Sequence, residues 1–373
     1  MKPEFLKYHL TLCLALIAST LFAQDYTRYI SKDDELFRQN NYEKKLESYL
    51  RNYLINEYPE RSAKAWNKDY SSQYAFERSV DPNRERWRNK VLKPPALRKT
   101  GPLIRKPYKI GDLDAEWVEL PLGGISAEAI FALPKGAKKN KPVPLIIVQH
   151  GNGSYPETTF ENGPNYHAYA TELVKAGYAV IALFNLRSIE KRNNIERLSR
   201  LADISLPGIE FSRMQNLLDV ILEEPGIDKN RVGMWGLSYG GMATMFWMPL
   251  EPRIKTGIIA GWFNHRLEKM AVNDPKSYSS FALLKEENAF FTGWLTEFTD
   301  YDAISMLCPR PIQIQHGKKD NIANWPKMLE EYNKSKTDYI KLNIPDKIDL
   351  VLHEGGHESM PEQGIKFLNK WLK

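Results

Sequence analysis

The rhythm of apolar and polar positions changes once along the chain, near residue 110. Before it, Leu46, Tyr49, Leu50, Tyr53 and Leu54 recur at three- and four-residue intervals, the spacing of an amphipathic helix. After it, short apolar runs alternate with helical faces. DAEWVEL (114–120) and AEAIFAL (127–133) straddle PLGG as a hairpin-like pair. PLIIVQ (144–149) is the kind of run that a sheet covers on both sides. A helix over 166–176, ended by Gly177, leads into YAVIALF (178–184). Met214, Leu217, Leu218 and Ile221 mark a helix face stopped by Pro225, and RVGMWG (231–236) follows. A helix from about 240, halted at Pro249, leads to IKTGIIAGWF (254–263). PIQIQ (311–315), a helix near 325–335, IDLVL (348–352) and a helix near 361–372 complete the series. Such alternation predicts an α/β fold, a mostly parallel central sheet flanked by helices. Residues 264–306 break the rhythm and form an insertion after the strand at 254–263, a candidate lid.

Lys2 and Lys7 precede the apolar run LTLCLALIASTLF (10–22), which ends at Ala23 before polar QDYTR. This is the layout of a signal peptide, too short for a comfortable bilayer span. The expected divisions are therefore a signal at 1–23, a helical extension and Pro-rich linker at 24–109, and a main domain at 110–373. Pro94, Pro95, Pro102 and Pro107 mark the linker. Cleavage would remove Cys13 and leave Cys308 alone, so no intrachain disulfide would form. The mature chain would be exported, periplasmic or secreted, with no stable membrane anchor. A net charge of +6 spread along the chain gives no basic patch for nucleic acid.

The sharpest chemical signal is RVGMWGLSYGG (231–241). Ser238 sits between a buried strand and a helix opened by Gly240 and Gly241, the context that a G-x-S-x-G nucleophile elbow requires. A serine needs a base, and the base needs a third group to orient it. Asp320 follows the strand PIQIQ and His357 follows IDLVL, each at a strand end and in the order Ser, acid, His. Backbone N–H groups for a developing oxyanion are expected at Tyr239 and, in HGNG (150–153), at Asn152 or Gly153. His150 reads as a brace for that loop.

HEGGH (353–357) also fits the zinc signature HExxH, which needs a helix to turn both imidazoles toward one metal. Gly355 and Gly356 would together cost that helix about 2 kcal/mol relative to Ala. Ile348, Leu350, Val351 and Leu352 favour a strand instead. The reading is no metal and no cofactor, with His357 as the base.

HGNG (150–153), GLSYGG (236–241), CPRPIQIQHGKKD (308–320) and EGGH (354–357) resemble the α/β-hydrolase superfamily. The likeness runs over about 110–373. It is greatest to the secreted bacterial serine esterases similar to dienelactone hydrolases, acetyl xylan esterases and prolyl-oligopeptidase catalytic domains. The resemblance implies Ser238 as nucleophile, Asp320 as acid, His357 as base and no cofactor. Dienelactone hydrolases carry Cys where this chain has Ser238, and glucuronoyl esterases carry Arg where it has Tyr239. The roughly 85 residues before the main domain cannot supply a propeller of four blades at ~40 residues each, as many prolyl oligopeptidases have. Ester hydrolysis is the expected reaction, with a small-molecule or carbohydrate ester as substrate. A serine peptidase and a non-catalytic binding protein on the same scaffold stay open. Trp262, Phe263 and Trp294, with Phe290 and Phe291, are either a substrate wall or the insertion's own core. Oligomeric state is not legible.

Overall fold

The computed structural model describes residues 31–272 and 285–373. The signal segment expected at 1–23, with Cys13, lies outside the described residues, as does the middle of the insertion, 273–284. The described residues fall into two units, 31–53 and those from 54 on. The first consists mainly of helix α1 (Lys32–Arg51), none of whose residues is buried. Ser31 caps it by accepting from the Asp34 N–H, and Asp33, Asp34 and Glu35 fill its first turn, where the helix dipole favours negative charge.

The second unit is built on one nine-stranded sheet, ordered β1-β2-β3-β5-β4-β6-β7-β8-β9. The strands are β1 (Ile104–Ile110), β2 (Leu113–Pro121), β3 (Ser126–Ala132), β4 (Val143–Gln149), β5 (Ala179–Leu183), β6 (Ile227–Leu237), β7 (Ile254–Ala260), β8 (Ile312–Gly317) and β9 (Ile348–His353). From β5 to β9 every neighbouring pair is parallel, while β1, β2 and β3 form an antiparallel edge. Residues 104–109, expected as the end of a linker, are thus strand. Pro107 pairs opposite Glu116 on the outermost strand, and β1 there needs no second ladder. An edge is where a sheet tolerates a residue without an N–H.

Before the sheet come α2 (Tyr58–Ala65) and α3 (Gln73–Arg86); between and after the strands come α4 (Tyr169–Lys175), α5 (Ile189–Leu201), α6 (Leu206–Ile221), α7 (Tyr239–Trp247), α8 (Arg266–Ala271), α9 (Asp300–Leu307), α10 (Trp325–Lys341) and α11 (Pro361–Leu372). Strand alternation divides the core in two. Leu145 and Ile147 of β4 face the layer of α6, α7, α9 and α10, whereas Ile146 and Val148 face α4 and α11. All four are fully buried, each worth about 1.5–3 kcal/mol of transfer free energy. Trp87, just past α3, packs edge-on against Phe246 at 4.7 Å and donates its indole N–H to the Phe246 carbonyl at 3.0 Å. The pre-sheet segment thereby clamps the far end of α7. The carboxyl ends of β4, β6, β8 and β9 all open on one rim, where open α/β sheets place their sites.

Candidate active site

Ser238 follows β6 directly and opens α7 with φ 60° and ψ −122°. A non-glycine residue held there costs on the order of 1–3 kcal/mol. The turn closes only because its neighbours lack side chains. A Cβ at Gly236 would lie 2.0 Å from the Gly240 carbonyl oxygen, and one at Gly240 would lie 1.9 Å from that of Gln149. The Ser238 N–H donates to the Ala260 carbonyl at 2.8 Å, which pins the elbow to β7.

His357 lies in the loop after β9, and its Nδ1 faces Asp320 Oδ2 at 2.7 Å. Asp320 is buried. Burial alone would raise its carboxyl, but the hydrogen bond and charge of His357 and the Ile322 N–H outweigh that and hold it below the ordinary carboxylate range. With Nδ1 donating to the carboxylate, the imidazole keeps Nε2 as its acceptor. Asn165 Nδ2 donates to the His357 carbonyl at 2.7 Å, and the Ser359 N–H donates to the Asn165 carbonyl at 2.8 Å. The loop carrying the imidazole is thus tied to the far side of the rim. HEGGH is not helical: His353 ends β9, and its Nδ1 accepts from the Gly355 N–H at 3.2 Å. The two imidazoles therefore lack the shared helical face that the zinc signature requires.

Ser238, His357, Tyr239, Asn152 and Trp262 line one cavity of about 300 Å³. Among the described residues, no acceptor takes the N–H of Asn152 or of Tyr239. The Gly153 N–H, the alternative donor, is already spent on the Arg187 carbonyl at 2.9 Å. Tyr239 is fixed from behind. Its hydroxyl donates to Glu210, and the Arg192 guanidinium lies 3.6 Å from its ring centroid. His150 is buried away from the cavity, donating from Nδ1 to the Gly151 carbonyl at 2.9 Å and accepting at Nε2 from the Asn185 N–H at 3.3 Å. Desolvation pushes its pKa down to about 4, so it is a neutral brace at pH 7, as its place in the sequence suggested.

Of the aromatic candidates, only Trp262 reaches the cavity. Phe263 and Trp294 are core residues, 0% and 2% exposed. Trp294 meets Phe246 edge-on at 5.1 Å and lies 5.4 Å from Phe291. The cavity has a polar side that sequence reasoning passed over: Tyr166, whose hydroxyl accepts from the Gly151 N–H at 2.8 Å, together with Asn165, Asn264, Lys269 and Glu286. Short polar stretches carry no local sign that they will meet at a rim.

No protein-family model matches the chain. The YtaP protein of Bacillus subtilis (strain 168), provisionally described as a hydrolase, is 23% identical over 272 residues, covering 67% of this chain and 85% of YtaP. A Bacteroides fragilis NCTC 9343 protein, provisionally described as an acetyl xylan esterase, superposes with a TM-score of 0.66 at 17% identity, over 86% of this chain and 88% of its own. A CE15 glucuronoyl esterase from Teredinibacter turnerae T7901 superposes with a TM-score of 0.57 at 15% identity, over 83% and 90%. Acetyl xylan esterase 1 from Thermoanaerobacterium sp. JW/SL YS485 gives 0.54 at 18% identity, over 79% and 94%. The fold of this chain is the α/β-hydrolase fold.

Proposed function

We propose that the protein is a serine hydrolase that cleaves carboxylic esters through a covalent acyl-enzyme. One observation carries the reading: an elbow serine and an imidazole already bonded to a buried carboxylate at 2.7 Å share one cavity. Ser238 Oγ attacks the ester carbonyl as His357 Nε2 takes its proton, and Asp320 holds the imidazole in the tautomer that leaves Nε2 free to accept. The uncommitted N–H groups of Asn152 and Tyr239 receive the developing oxyanion, an arrangement worth several kcal/mol in a site that excludes water. His357 then returns the proton to the leaving alcohol. Water, activated by the same imidazole, releases the acid and restores the serine.

The esterases of similar fold act, by their names, on acetylated xylan and on glucuronoyl esters. With the polar cavity wall, this supports a carbohydrate ester as substrate. The apolar run at 10–22 supports export, with the residues between 24 and 103 as an extension ahead of the sheet; among the described residues no helix is long and apolar enough to cross a membrane.

The test is hydrolysis of p-nitrophenyl acetate by residues 24–373. Ser238→Ala should cut kcat by about 10³-fold or more with the fold retained, and a fluorophosphonate should label Ser238. A folded Ser238→Ala protein with undiminished turnover refutes the assignment.

A further inference from the structure

The mechanism above leaves two ionisable cavity residues, Lys269 and Glu286, without a role. Lys269, on α8, is only 3% exposed, yet lines the same cavity as Ser238 and His357. A lysine is rarely placed so deep, because desolvation disfavours its charge. Burial, reinforced by Arg266 on the same helix, pushes its pKa down to about 7 against the opposing pull of Asp320, Glu286 and Asp300. Its Nζ donates to the Ile322 carbonyl. Ile322 in turn donates its own N–H to Asp320 Oδ1 at 3.0 Å. Asp320 Oδ2 is the oxygen that faces His357. The carboxylate is thus held at both oxygens, by the imidazole on one side and on the other by the N–H of Ile322, the residue whose carbonyl, in the next peptide, Lys269 anchors.

We propose that Lys269 is a positioning residue for catalysis, which through Ile322 holds Asp320 in register with His357. The proposal rests on the triad reading above. A carboxylate bonded at one oxygen alone can rotate about its Cβ–Cγ bond and release the imidazole. A carboxylate bonded at both oxygens cannot rotate without breaking the strap. The strap does not depend on charge, since an amine and an ammonium both carry N–H groups to donate. Helix α8 belongs to the insertion after β7, and the lysine side chain crosses from it to the loop after β8.

The experiment compares Lys269→Met and Lys269→Arg in the full chain, with p-nitrophenyl acetate as substrate. Met fills the volume without a donor. It should lower kcat by about 30- to 100-fold, the usual cost of misplacing a catalytic group by about an ångström, and leave KM within about threefold. Arg keeps a donor and should retain at least roughly a third of wild-type kcat. A second readout does not need turnover: the downfield proton resonance of His357 Nδ1, bonded to Asp320, should persist in wild type and Lys269→Arg and vanish in Lys269→Met. If Lys269→Met does not fold, Lys269→Leu, which also lacks a donor, replaces it with the same expected loss. Unchanged kcat and an unchanged resonance in the Met variant overturn the proposal, as does an inactive, folded Arg variant. Wild type that neither turns over ester nor takes a fluorophosphonate on Ser238 refutes the hydrolase reading instead, and the resonance then judges the strap by itself.

Discussion

Replacing Arg192 by Met isolates the buried ion pair that stands behind Tyr239. Arg192 and Glu210 are 0% and 2% exposed at their side chains, with contacts of 2.7 Å (Nη1–Oε1) and 3.2 Å (Nη2–Oε2). The guanidinium also donates to the Leu186 carbonyl at 3.0 Å and covers the Tyr239 ring. In Arg192→Met the Glu210 carboxylate stays buried with the Tyr239 hydroxyl but without its cation. Breaking a buried pair from one side costs about 3–5 kcal/mol, which is a factor of roughly 10² to 10³ or more in the unfolding constant. Removing both charges is different, because a buried pair and a well-packed neutral replacement are often close in energy. The double variant Arg192→Met/Glu210→Gln should therefore recover most of the loss and lie within about 2 kcal/mol of wild type. Guanidinium denaturation followed by tryptophan fluorescence measures all three proteins. A single variant within about 1 kcal/mol of wild type, or a double variant as unstable as the single, refutes the reasoning.

Asp320→Asn should keep the fold and lower kcat by about 10³-fold or more, because an amide permits the wrong imidazole tautomer; steady-state kinetics read it. Gly261→Ala should lower kcat by about 10²-fold with Ser238 still present, since Gly261 has φ +61° and a Cβ there would lie 2.9 Å from His357 Cε1. His150 contributes a stability term with a definite sign. Its folded pKa, about 4, lies below the ordinary 6.5, so the unfolded chain binds more protons between those values. The contribution is complete above about pH 6.5 and is lost as pH falls through 4, roughly 3 kcal/mol in all. Denaturation at pH 7 and pH 4.5 should show this loss in wild type and a smaller one in His150→Asn.

The parts of the site that were legible in the sequence are those whose causes are local. The elbow was readable because Gly236, Ser238 and Gly240 must stand at fixed spacing between a strand and a helix. Asp320 and His357 were readable because each follows an apolar strand run. What stayed hidden depends on distant partners. Asn152 is the choice from sequence and Gly153 its alternative, and the two are separated only by Arg187, more than thirty residues on, which takes the N–H of Gly153. Phe263 and Trp294 could not be assigned to wall or core from the insertion alone, because Phe246 of α7 provides Trp294's packing. β1 was concealed by its own polarity: IRKPYKI is mostly exposed, as an edge strand can be, and Pro107 reads as a linker residue. Lys269 gave no sign of burial, since a Lys in a short helix is ordinarily solvated.

The order of the sheet also divides the site by durability. Ser238 leaves β6, which has β4 and β7 on its two sides, whereas His357 follows β9, the last strand, bonded only to β8 and half-buried over most of its length. Opening of β9 needs one ladder to part, while opening of β6 needs two and the core on both faces. Amide protons of β9 should therefore exchange well before those of β6. Under mild heat or denaturant, the protein should pass through a state with the Ser238 turn intact and His357 adrift, which on the proposed mechanism is silent toward ester although most of the fold still stands.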